Sequence, residues 1–256
     1  MAEAENSKSG KNRVAILVDT ETHMMPALAR EMVRRNHNLV IGNVAEGLVD
    51  ELKQMGGDVE VVSEKLDLTK PDAVKKLIDA ANKRFGGFDA TCIRTGLHQT
   101  GDIFEHTSED CDNLYTGNFK SAFFALQAVL PPLVSQGSGQ VVVNTSTTGF
   151  RPIPWSPVYS AMRAATNSLV RSSAMLLADK GVTVNATGSY AIDYPQARKD
   201  MDADTPEGRK KAEATIPMKR LGKPDECAHF VATLIDGHGT FQTGQFFSMD
   251  GGWAFE

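Results

Sequence analysis

Short runs of apolar, often β-branched residues alternate along the chain with segments in which apolar residues recur every three or four positions. The short runs predict strands, and the periodic segments predict the helices between them. The predicted strands are Val14–Val18, Leu39–Ile41, Val59–Val62, Asp89–Ile93, Gln140–Asn144, Val182–Asn185 and Gln245–Met249. Because these strands are apolar along nearly their whole length, they are typical of a parallel sheet that helices cover on both faces.

The predicted helices fill the intervals between the strands. They are Ala27–Arg35, Glu46–Met55, Thr69–Phe85, Ser108–Val134 and a helix that carries Tyr159 and runs to about Ala178. Strand and helix alternate without a linker or a repeat, so residues 13–256 are predicted to form one α/β domain, a doubly wound, Rossmann-like fold with a parallel sheet of about seven strands. The polar residues 1–12 are expected to be a disordered tail.

Composition narrows the class of protein. The 256 residues carry a formal net charge of −5 with both signs interspersed, which argues against nucleic acid or an anionic membrane as the main partner. The three cysteines show no paired spacing, and no histidine or acidic cluster has the spacing of metal ligands, so neither a disulfide framework nor a metal site is expected. We therefore predict a cytoplasmic enzyme.

The candidate chemistry lies between Ser146 and Arg163. Tyr159 and Arg163 are four residues apart on the predicted helix, so they share one helix face. A guanidinium near a phenol favours the phenolate, which makes Tyr159 a candidate general base. Ser146 follows the predicted fifth strand, at the end where open α/β sheets bind ligands. The segment Gly188–Pro206 follows the sixth strand and is predicted to contribute to the substrate pocket.

The order of several motifs resembles the short-chain dehydrogenase/reductase superfamily over residues 13–253. In that superfamily the serine and tyrosine are followed by a lysine, where this chain has Arg163. Asn118 stands at the position of a catalytic-site asparagine in the long helix, where we expect it to stabilise a helix distortion. The other matching motifs are Asp67-Leu68-Thr69, Val184-Asn185-Ala186, Arg220-Leu221-Gly222 and Asp250-Gly251-Gly252.

The chain departs from the superfamily where the nucleotide would bind. Thr20, Met24 and Pro26 occupy the three positions of its glycine loop, whose glycines let the backbone approach the pyrophosphate. The usual Asn-Asn-Ala-Gly after the fourth strand is Ile93-Arg94-Thr95-Gly96, and the usual Pro-Gly after the sixth is Ser189-Tyr190. These departures predict that neither NAD nor NADP binds.

A catalytic Ser-Tyr-Arg set with a blocked nucleotide site resembles the halohydrin dehalogenases. The resemblance implies a cofactor-independent carbon–halide lyase that converts vicinal haloalcohols to epoxides and opens epoxides with halide, azide, cyanide or nitrite. It further implies a homotetramer, and a halide and substrate pocket at Met24, Ser189, Tyr190 and Ala191. Two alternatives stay open: an NAD(P)-dependent oxidoreductase with a degenerate nucleotide loop, and a catalytically inactive binding protein.

Overall fold

The computed structural model describes residues 12–255 and shows one doubly wound α/β domain. In this range seven parallel strands form one sheet in the order β3-β2-β1-β4-β5-β6-β7. The strands are β1 Val14–Leu17, β2 Asn38–Gly42, β3 Val59–Val62, β4 Ala90–Arg94, β5 Gly139–Asn144, β6 Val182–Ser189 and β7 Phe246–Met249. The predicted fold is confirmed. The tail predicted for residues 1–12 lies, except for Asn12, outside the described residues.

Helices cover both faces of the sheet. They are α1 Met25–Arg34, α2 Leu48–Gln54, α3 Ala73–Phe85, α4 Ser108–Leu114, α5 Ser121–Gln136, α6 Pro157–Leu177, α7 Pro195–Asp200, α8 Pro206–Ala214 and α9 Pro224–Ile235. Successive strand residues point to opposite faces, so Ile16 packs in the core beneath α3, α5 and α6, and Leu17 in the core beneath α1, α2 and α9. This explains why apolar residues occur on both faces of the strands.

The long helix predicted over residues 108–134 is interrupted in its middle. A π-helical segment, Tyr115–Lys120, separates α4 from α5 and contains Asn118. The Asn118 amide nitrogen donates to the Leu114 carbonyl at 2.9 Å and to the Leu97 carbonyl at 2.8 Å. The first bond satisfies a helix carbonyl next to the π-helical segment, and the second joins that segment to the loop after β4, which agrees with the expected role of Asn118 in a helix distortion.

The strand order places a crevice between β1 and β4. The chain runs outward from β1 through β2 to β3, and then crosses back to β4 on the other side of β1. Ligands of open α/β sheets bind at such a reversal, outside the carboxyl ends of the strands. Within residues 12–255, no helix has the length and apolar character needed to cross a membrane.

Candidate active site

A cavity of about 730 Å³ opens at the carboxyl ends of the strands. We call it the strand-end cavity. Its walls come from the loop after β1, the ends of β4, β5 and β6, the start of α6 and the segment through α7. The chemically important lining residues are His23, Arg94, His98, Asn144, Ser146, Tyr159, Arg163, Ser189, Tyr190, Ala191 and Tyr194. Ser146, Tyr159 and Arg163 therefore meet in one cavity, as do Ser189, Tyr190 and Ala191 from the predicted pocket.

Helix α6 aligns Tyr159 with Arg163. The guanidinium carbon of Arg163 lies 5.1 Å from the centre of the Tyr159 ring, close enough for a cation–π contact. The Tyr159 ring also packs edge to face against His98, with 4.9 Å between ring centres. Burial lowers the pKa of His98, and the charge of Arg163 lowers it further although Asp200 opposes the change. A neutral imidazole and a fixed cation therefore flank Tyr159.

Arg163 is a buried cation with unused donors. Its side chain donates from Nη2 to the Thr95 carbonyl at 3.0 Å, whereas Nε and Nη1 are buried and have no hydrogen-bond partner among the described residues. Gly96 makes room for it, since a Cβ at that position would lie 1.9 Å from Nη2. Leaving buried guanidinium donors without acceptors is costly, so Nε and Nη1 are available to donate to oxygen atoms of a ligand.

Ser146 lies at the turn after β5. It caps a short 3₁₀ helix, Thr147–Gly149, and its oxygen accepts hydrogen bonds from the Thr148 amide at 3.2 Å and the Thr148 hydroxyl at 3.0 Å. Both bonds use the serine oxygen as acceptor, which leaves its proton to donate to a ligand. The two bonds fix the hydroxyl at the wall of the strand-end cavity.

His23 lines the cavity, although it is not among the site residues predicted from the sequence. Its backbone is left-handed, with φ of 62°, and its ring reaches across the cavity. Nε2 lies 2.9 Å from the Ser189 hydroxyl, and Nδ1 lies 3.3 Å from the Asn144 amide nitrogen. Because that nitrogen can only donate, Nδ1 accepts and Nε2 carries the proton. Burial, followed by the charges of Arg94 and Arg163, lowers the pKa of His23 to about 3.

Met24 does not line the cavity, which corrects the predicted pocket. It is fully buried in the core beneath α1, α2 and α9, together with its neighbour Met25. The left-handed conformation of His23 turns the chain so that the histidine faces the cavity and the methionine faces the core. The sequence alone does not show whether Met24 faces the cavity or the core, because an apolar side chain fits either environment.

An ion pair spans the crevice between β1 and β4. Nη1 of Arg94, at the end of β4, donates to Oδ2 of Asp19, which follows β1. The other oxygen of Asp19 accepts from the Glu21 amide at 3.2 Å. The pair lies largely out of solvent, with 25% of the Arg94 side chain and 11% of the Asp19 side chain exposed. Glu21 in turn pairs with Lys65, so both acids of the first loop have a cationic partner.

Comparison with known proteins decides the family. A family model described as enoyl-(acyl carrier protein) reductase matches residues 25–254. The chain belongs to the short-chain dehydrogenase/reductase superfamily. Within it, the chain is 32% identical to 4-formylbenzenesulfonate dehydrogenase of Comamonas testosteroni over 73% of this chain and 75% of that protein. It is 27% identical to 2,5-dichloro-2,5-cyclohexadiene-1,4-diol dehydrogenase of Sphingobium indicum, over 97% and 98%.

The structure agrees with this assignment. Levodione reductase superposes with a TM-score of 0.86 and 25% sequence identity, over 96% of this chain and 98% of that one. The superfamily matches are named as dehydrogenases and reductases, which contradicts the prediction of a halohydrin dehalogenase and of a cofactor-independent lyase. Arg163 keeps the positive charge and the N–H donors of the superfamily lysine. It therefore does not indicate a change of reaction.

Proposed function

We propose that the chain is a nicotinamide-dependent oxidoreductase that interconverts a secondary alcohol and a ketone. The observation that carries this proposal is the meeting of Ser146, Tyr159 and Arg163 in the strand-end cavity of a chain whose relatives are dehydrogenases and reductases. NAD or NADP, when bound, would supply or accept the hydride. The reading as an inactive binding protein has no comparable support, because the acid–base set is intact.

The residues divide the remaining work between them. The Ser146 hydroxyl, fixed by Thr148, would hold the substrate oxygen by its free proton. Tyr159 would exchange a proton with that oxygen, giving it to a ketone during reduction and taking it from an alcohol during oxidation. The Arg163 charge lies over the ring, where it would stabilise the phenolate that forms when the proton leaves.

The two ends of the nucleotide site differ in how well they fit a dinucleotide. At the catalytic end, the unpartnered Nε and Nη1 of Arg163 suit the hydroxyls of the nicotinamide ribose, the role of the lysine in the superfamily. At the first loop, Thr20 and Met24 are fully buried at glycine positions, and Pro26 removes an amide donor from the first turn of α1. A glycine cradle for the pyrophosphate is therefore absent from this loop.

The test measures turnover with NAD or NADP and a panel of ketones and secondary alcohols. The change in absorbance of the reduced nicotinamide reports the rate. We expect Tyr159→Phe to lower kcat roughly a hundredfold or more, the usual size of a lost general acid or base. Tyr115→Phe is the matched control, because Tyr115 is exposed outside the cavity and its substitution should leave kcat unchanged. Near wild-type turnover by Tyr159→Phe would refute this role for Tyr159.

A further inference from the structure

The first loop lacks a glycine cradle, so a dinucleotide needs another group to hold its pyrophosphate. A phosphate ligand at the end of β1 would meet the two acids of this loop, Asp19 and Glu21, whose negative charges oppose its binding. The structure already pairs both acids with cations, Asp19 with Arg94 and Glu21 with Lys65. Arg94 also lines the strand-end cavity, whereas Lys65 is mostly exposed.

Arg94 lies at the point in the fold where a dinucleotide would bind. It ends β4, next to β1 at the reversal of strand order, where ligands of this fold class bind. Its charge acts on the cavity, since it contributes to lowering the pKa of His23. A guanidinium binds phosphate through two parallel N–H bonds, and a pyrophosphate offers more charge and more acceptor oxygens than one carboxylate.

We infer that Arg94 is the pyrophosphate-binding residue of this enzyme. In the free protein Arg94 pairs with Asp19, and the phosphates replace Asp19 as its partner when the dinucleotide binds. This inference rests on the proposed function. Before binding, the Asp19–Arg94 pair lies across the crevice between β1 and β4. On binding, Arg94 turns from the carboxylate to the phosphates, and Asp19 keeps its hydrogen bond from the Glu21 amide.

The exchange predicts opposite effects for its two members. Asp19→Asn removes the competing charge but keeps an acceptor for the Glu21 amide, so the Kd for NADH or NADPH should fall about tenfold. Arg94→Gln removes a charge-assisted contact to phosphate, so the Kd should rise roughly ten- to a hundredfold. Arg94→Lys keeps the charge without the fork of N–H groups and should lie between Arg94→Gln and the wild type.

The experiment is titration of each protein with NADH and NADPH by calorimetry, with a melting curve for each variant to show that it folds. Arg84→Gln is the matched control: Arg84, on α3, forms an exposed ion pair with Asp58, and its substitution should leave the Kd unchanged. An Arg94→Gln variant that binds as tightly as the wild type would overturn the inference and leave the proposed function intact. Failure of the wild type and of Asp19→Asn to bind either nucleotide would overturn both.

Discussion

Met24 offers a quantitative test of the local structure at the first loop. Its side chain is fully buried in the core beneath α1, α2 and α9, although the residue adjoins the cavity-lining His23. Truncation of a buried methionine to alanine costs about 2–5 kcal/mol, because apolar contacts are lost and a void remains. For a domain of this size each kcal/mol lowers Tm by roughly 2–4 °C, so Met24→Ala should lower Tm by roughly 4–20 °C.

The measurement is differential scanning calorimetry of Met24→Ala beside Met218→Ala. Met218 is 60% exposed, so the same chemical change there should alter the free energy of unfolding by no more than about 0.5 kcal/mol. If Met24 lined an open pocket, its truncation would leave little void and the two variants would melt alike. Equal Tm values for the two variants would therefore refute the placement of Met24 in the core.

Two further predictions concern His23 and the assembly. Burial lowers the pKa of His23 to about 3, below its ordinary 6.5. Between these two pH values the unfolded chain binds a proton that the folded chain does not. The free energy of unfolding of the wild type should therefore fall by up to about 1.4 kcal/mol for each pH unit below 6.5. His23→Asn, which tolerates the left-handed backbone, should show a shallower loss between pH 7 and pH 5 in urea unfolding; parallel pH profiles would contradict this. We also propose the homotetramer that the resemblance implies, with α6 as a packing face, because Met175 and Leu176 on α6 are 83% and 74% exposed. Light scattering should give the mass of four chains for the wild type and a smaller one for Leu176→Glu, whereas a monomeric wild type at micromolar concentration would refute the proposal.

The sequence by itself determined the architecture. Seven apolar runs separated by helical periods are enough to predict a parallel sheet, because a strand buried on both faces has no polar side. It also determined that Tyr159 and Arg163 share a helix face, since that follows from the helical repeat alone. The place of Ser146 followed from the position of β5, whose carboxyl end opens into the cavity. Each of these results depends on local order along the chain.

The tertiary structure decided which side chains lie in the crevice between β1 and β4. The Asp19–Arg94 pair joins residues 75 positions apart, and it forms because β1 and β4 are neighbours although two strands separate them in sequence. His23 faces the cavity and Met24 the core because one left-handed residue sets the direction of the loop, and neither side chain dictates that conformation. The missing glycines were therefore readable from the sequence, but the contacts that the loop makes without them were not, because a charge pair or a core contact depends on which distant segments the fold brings together.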